Sequence, residues 1–309
     1  MTEIRSADAL TVRHLSDRPL DLGPTLAPLR HGVGDPTFTR TTDGAVWRTT
    51  LLPSGPATQR FVADGERSVV VQQWGPGARE AADRLPQLLG EDDSTDGFVA
   101  PPQAQAAARR AVGLRITRSG RVMEALVPAV LEQKVQVVTA HRAWRHLVLR
   151  RGSAAPGPAP AGLRVVPDAR TWAALPVWEW HRAGVDPRRA ATVARCARVA
   201  ARLEETATLP GAEARARLEA VPGIGEWTSA EVAQRALGDA DAVSVGDFHL
   251  AAAVGWALTG ERTDDAGMLE LLAPYAPHRH RVVRLLFLDR RAQAPRRGPR
   301  LPIPDYRGL

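Results

Sequence analysis

The sequence predicts an α+β chain: an antiparallel sheet with a covering helix at the N-terminus, followed by an all-helical unit. Residues 36–74 hold short runs of β-branched and aromatic residues separated by turn residues. From Gln103 onward, apolar residues recur at helical spacing, and between the two patterns lies the acidic, polar run 91–97. The expected division is 1–97 for the sheet unit, 98–290 for the helical unit and 291–309 for a basic, proline-rich tail. A chain of 309 residues has room for two cores, at roughly 100–200 residues per domain.

In the first unit, residues 37–40, 45–52, 59–62 and 68–72 read as strands. Asp43-Gly44 and Asp64-Gly65 supply hairpin loops, because Asp-Gly supports the positive φ that tight hairpin turns need. Residues 78–89 then form a helix whose Leu85, Leu88 and Leu89 gather toward one side, as a helix lying on the sheet requires. No catalytic residue types cluster here, so the unit reads as a brace.

In the second unit, helices are expected over 103–112, 122–131 and 135–150, with a break at Glu132-Gln133-Lys134. Residues 151–167, rich in Gly, Ala and Pro without periodicity, read as a flexible surface connection. Trp172, Trp178 and Trp180 could stack bases, but large aromatics more often fill an interior. Helix 187–203 puts Val193, Cys196, Val199, Ala200 and Leu203 on one side and most arginines elsewhere, which makes Cys196 a core residue. Helices over 247–258, 267–273 and 280–288 complete the unit.

The formal charge is +7 and the isoelectric point near 10.8, a balance that suits a nucleic-acid partner. Lys134 is the only lysine, and the Arg, Ala, Gly and Pro load looks as much like codon bias as function, so the charge counts for little alone. One cysteine excludes an internal disulfide and a four-cysteine zinc or iron–sulfur site, and His181 has no second ligand type at metal spacing. The N-terminus has no apolar leader core, and no run reaches the roughly 20 apolar residues of a membrane span. A cytoplasmic monomer with no membrane partner and no bound metal is expected.

Residues 218–250 are the most informative. Val221-Pro222-Gly223-Ile224-Gly225 separates two helical patterns, and its glycines allow φ > 0 and close approach of another backbone. The amides opening the helix 226–237 face outward at the positive end of a dipole, which suits an anion; a plain helix–turn–helix joint is the alternative. About twenty residues after Trp227, the run Val245-Gly246-Asp247-Phe248-His249-Leu250 sets a lone carboxylate among apolar residues. It is either a functional group or a helix N-cap.

Together these two motifs resemble the helix-hairpin-helix DNA glycosylase superfamily, and within it the bacterial alkyladenine branch. The resemblance implies that Asp247 is the catalytic carboxylate and that the amides at Gly223, Gly225 and Thr228 hold a DNA phosphate. No cofactor is implied beyond a possible monovalent cation bridging hairpin carbonyls. The loop Val130-Leu131-Glu132-Gln133-Lys134-Val135 is similar to the segment that wedges into the duplex, making Gln133 and Lys134 DNA contacts, although Lys134 reads equally well as an exposed surface lysine. Trp227 stands where strand-cutting members carry a nucleophilic lysine, and is either a stacking wall for the base or filler beneath the hairpin. Glu231 and His278 occupy positions where the branch places pocket aromatics, which implies a more polar pocket. The implied function is a monofunctional glycosylase of base excision repair that removes a damaged, alkylated base flipped from duplex DNA. The rivals are a non-catalytic helix-hairpin-helix DNA-binding protein and an interaction scaffold.

Overall fold

The computed structural model describes residues 2–6, 9–288 and Pro295, so the basic stretch 291–309 lies outside the described residues apart from that proline. Six antiparallel strands form one sheet: β1 (Thr2–Ser6), β2 (Ala9–Leu15), β3 (Phe38–Arg40), β4 (Val46–Leu52), β5 (Gly55–Ala63) and β6 (Ser68–Trp74). Their order is β1-β2-β6-β5-β4-β3. The sequence predicts the last four; β1 and β2 escape it. In β2 the alternation is inverted, with His14 buried against Glu91 at 2.8 Å and Leu15 63% exposed, so the strand lacks a clean apolar stripe.

One face of the sheet carries Val12, Val46, Phe61, Val69 and Val71. The helices Leu22–Leu26, Ala78–Asp83 and Leu85–Leu88 cover it through Leu22, Leu26, Ala82, Leu85 and Leu88. The expected covering helix is therefore present, broken at Arg84 just before Pro86. The sheet meets the following helices through Glu124, which accepts from Arg48 Nη2 (3.0 Å), Thr50 Oγ1 (2.7 Å) and the Leu51 amide (2.7 Å).

The acidic run 91–97 is firmly anchored. Asp93 is buried, accepts from the Ile116 amide at 2.9 Å, and pairs through both oxygens with the guanidinium of Arg281, itself lying over the Phe98 ring. Likewise, residues 151–167 differ from the flexible connection expected of them. Ser153–Ala154 pairs with Arg164–Val165, the Arg164 amide donates to the Pro36 carbonyl at 2.6 Å, and Leu163 packs with the stacked Trp47 and Trp74. The proline and glycine content of that segment serves close fitting against the sheet, where Gly157 lies directly on the Trp74 ring.

The helices build two cores. The first joins Val122–Glu132, Val137–Arg151, Ala169–Ala174, Val177–Arg182, Pro187–Arg198 and Ala200–Glu204 to the helix that begins at Glu226. Trp144, Trp172 and Trp180 stack in succession at its centre, whereas Trp178 is half exposed under Arg182. Burial pushes the Cys196 thiol up to about 11, as suits an inert core residue. Asp168 and Asp186 cap their helices by accepting from the amides of Thr171 and of Arg188 and Arg189. The second core packs residues 98–111 against Leu250–Thr259, Asp265–Leu272 and Arg279–Leu288. The chain crosses from the first core to the second over residues 238–249. Among the described residues, no helix is long and apolar enough to cross a membrane.

Candidate active site

The turn 221–225 joins Gly211–Glu219 to Glu226–Val232 and is pinned from below by the buried Ile224. Gly223 has φ +100, and a Cβ on it would lie 2.4 Å from Thr192 Oγ1 of the neighbouring helix, so backbone and packing both require glycine there. Gly225 differs from the expectation of positive φ: it is extended (φ −117, ψ −177), with open space where a Cβ would be. What its missing side chain provides is access to the front of the turn. Among the described residues, no acceptor faces the amides of Gly223, Gly225, Glu226, Trp227 and Thr228. The last four are the orphan donors of a helix start, and the dipole adds positive potential at the same place.

The Thr228 side chain points inward instead. Its hydroxyl accepts from Gln133 Nε2 at 2.8 Å, and the same nitrogen donates to the Gly223 carbonyl at 2.9 Å, so the loop after Val122–Glu132 is braced on the turn. Arg195 donates to the Pro222 carbonyl. These two carbonyls are ill suited to a cation, since N–H donors already face them and one belongs to a guanidinium. Next to Gln133, the exposed Lys134 has φ +54 and is, among the described residues, the one non-glycine with positive φ. Such a conformation costs about 1–2 kcal/mol, and the Gln133 brace helps to hold it.

Asp247 lies on the crossing between the two helical cores, half-buried. Its Oδ1 accepts from the amides of His249 (2.8 Å) and Leu250 (2.9 Å), which caps Leu250–Thr259, while Oδ2 accepts from Trp227 Nε1 at 3.1 Å. The two sequence-level alternatives for Asp247 thus coexist: one oxygen caps, and the other is held beside an indole that springs from the turn's own helix. Phe248, the next residue, is 86% exposed and touches the His249 ring edge-on.

No family model matches the chain. Among curated proteins it is 30% identical over 218 residues to the "probable bifunctional transcriptional activator/DNA repair enzyme AlkA" of Mycobacterium tuberculosis, in two strains. That match covers 67% of this chain and 43% of the relative, so it spans less than half of the relative's length. The solved 3-methyladenine DNA glycosylase from Archaeoglobus fulgidus has the same fold, with a TM-score of 0.73 and 20% identity over 89% of this chain and 96% of that one. The Clostridium acetobutylicum 8-oxoguanine glycosylase/lyase in its apo form gives 0.68 at 12% identity, over 93% and 98%. The chain therefore shares its fold with DNA glycosylases. The curated relative supports an AlkA-like placement.

The remaining candidate residues fall in two places. Glu231, one turn after Trp227, accepts from Ser244 Oγ through Oε1 and from Arg235 Nη1 (2.7 Å) through Oε2. His278 lies in the second core, edge-on to Phe98, with Nε2 3.3 Å from the Asp96 carbonyl and Nδ1 accepting from Arg281. Its contacts are with the 93–98 segment and the last helix, and those of Trp227 and Asp247 are with each other. Thus Gln133, Gly223, Thr228, Trp227 and Asp247 form one chain of direct contacts and sequence neighbours, with Gly225 and Lys134 adjoining it, whereas His278 stands apart. Sequence reasoning misses Ser244 and Gln234, two buried polar side chains beside Glu231. The available signal is Ser244 alone among the apolar run Ala242-Val243-Ser244-Val245.

Proposed function

We propose that the protein is a monofunctional DNA glycosylase of base excision repair, a cytoplasmic monomer that hydrolyses the N-glycosidic bond of an alkylated base flipped from duplex DNA. The observation that carries this is the Asp247 carboxylate, fixed by Trp227 beside an amide-lined glycine turn. In this reading 1–97 braces the glycosylase unit 98–290.

The turn's free amides take a phosphate of the damaged strand and so set its position without reading sequence. As the glycosidic bond breaks, its electron pair leaves with the base and the sugar becomes oxocarbenium-like; Asp247 opposes that charge with a carboxylate already oriented by three N–H donors. Water then adds to the anomeric carbon and gives up a proton to solvent, while a cationic base departs neutral with the electron pair, leaving an abasic site. Trp227 cannot form a Schiff base, and its indole face suits a cationic, alkylated purine.

Duplexes that each carry one lesion (methylated purines, ethenoadenine, hypoxanthine, uracil, oxoguanine) test the proposal. Strand scission after alkali from at least one of them supports it, and none from any lesion removes it. Borohydride is expected to trap no covalent adduct, a clean test because Lys134 is the only lysine. An adduct would assign lyase chemistry to Lys134 or the N-terminal amine.

The two glycines separate stability from binding. Gly225→Val is expected to melt close to the parent yet lose affinity for damaged and undamaged duplex alike, because its side chain fills the open front of the turn. Gly223→Val must displace Thr192 and is expected to lose stability outright. Thermal melts and duplex anisotropy check both, and unchanged affinity in Gly225→Val would leave the turn as a joint.

Lys134 is proposed as the wedge that fills the gap left by the flipped nucleotide, which offsets a few kcal/mol of lost stacking. Lys134→Ala should slow excision from matched duplex about tenfold more than from a mismatched site, where opening already costs less. Equal losses in single-turnover rates on both would make it an ordinary surface lysine.

A further inference from the structure

The loop that carries Asp247 is tied to the preceding helix by a buried polar network that the chemistry above does not use. Ser244, 3% exposed, donates its hydroxyl to Glu231 Oε1. The same hydroxyl accepts from Gln234 Nε2 at 2.9 Å, and that nitrogen also donates to the Ala242 carbonyl at 2.9 Å. The Asp247 amide donates to the Ser244 carbonyl at 3.2 Å, closing the turn that ends in the carboxylate. Two rungs therefore join helix and loop: Trp227 reaches Asp247, and Glu231, one turn further along, reaches Ser244. Gln234 extends the second rung from the π-helical turn Ala233–Leu237, an irregularity of the kind that often accompanies functional sites.

Both oxygens of Glu231 are engaged within the protein, one by Ser244 and one by Arg235, whose Nε also donates to the Pro28 carbonyl at 2.9 Å. A carboxylate so occupied is poorly placed to read a base edge and well placed to hold a loop. We propose that Ser244, held by Glu231 and Gln234, is a positioning residue that fixes residues 242–247 so that Asp247 presents a single orientation to the reacting sugar. The proposal rests on the glycosylase function above for its catalytic consequence. Its structural part stands on the network alone.

Removing the hydroxyl leaves a buried carboxylate oxygen and a buried amide short of partners, and the loop can then relax. A displacement of about 1 Å at a reacting group lowers rates by up to about a hundredfold. The test measures single-turnover excision, duplex affinity and hydrogen exchange over residues 242–250 in Ser244→Ala, Gln234→Leu and Ser244→Thr. Ser244→Ala is expected to slow excision roughly tenfold to a hundredfold while affinity stays within about twofold. Exchange should quicken over 242–250 and stay unchanged in the sheet. Ser244→Thr, which keeps the hydroxyl, should recover most of the rate. Gln234→Leu should give the same split, and it decides the matter if Ser244→Ala fails to fold. Unchanged rate and exchange, or a loss matched by weaker binding or by global loss of protection, overturns the proposal. A wild type that excises no lesion defeats the glycosylase function by itself. The exchange result then decides the positioning role: faster exchange confined to 242–250 supports it and unchanged exchange overturns it.

Discussion

Asp247→Asn should lower single-turnover excision by roughly a hundredfold to a thousandfold, the scale seen when one oriented group that stabilises transition-state charge is removed. The substitution is nearly isosteric. Asparagine caps helices about as well as aspartate, so the bonds from the His249 and Leu250 amides to Oδ1 persist and the helix Leu250–Thr259 keeps its start. What is lost is the charge, together with the Trp227 bond to the oxygen that becomes an amide nitrogen. Duplex affinity should stay near parental, because the phosphate is held by backbone amides at the turn. A stably folded variant that retained near-parental excision would move the catalytic group elsewhere; a variant that lost binding as well would make Asp247 a structural cap.

Asp93→Ala should destabilise the protein by about 3–5 kcal/mol, because it strips a buried guanidinium of its partner. Asp93 and Arg281 each have about 3% of their side chain exposed, and the aspartate also satisfies the Ile116 amide. The cost falls on the joint between the 91–97 segment and the last helix. Combining it with Arg281→Met, which replaces the stranded charge with an apolar side chain, should recover part of the loss. Urea unfolding of the single and double variants checks both statements. A loss under about 1 kcal/mol in the single variant would show that water or another group satisfies Arg281.

What was legible in the sequence is what local chemistry dictates. The turn at Val221-Pro222-Gly223-Ile224-Gly225 announces itself because proline and glycine have few interchangeable substitutes, and Asp247 because a carboxylate amid Val245, Phe248 and Leu250 needs a reason. Strands β4 to β6 show because their Asp-Gly loops and β-branched runs agree with the final pairing. What stayed hidden depends on distant partners. Strand β2 is legible only once Glu91 is seen to receive His14. Residues 151–167 look flexible until the sheet supplies Trp47, Trp74 and the Pro36 carbonyl. Asp93 reads as one more charge in an acidic, polar run until Arg281, far along the chain, reaches it. Glu231 reads as a pocket group by its position after Trp227, but its occupancy by Ser244 and Arg235 is a tertiary fact that no spacing rule contains.

The most direct test is to incubate alkylated duplex DNA with the wild type and with Asp247→Asn and to measure free bases released into solution by mass spectrometry, alongside alkali-labile sites in the strand. Free alkylated base and alkali-labile sites are expected in equal amounts from the wild type, and both roughly a hundredfold to a thousandfold more slowly from Asp247→Asn at matched DNA occupancy. Binding without release of any base by the wild type, or equal release by both proteins, would contradict the account.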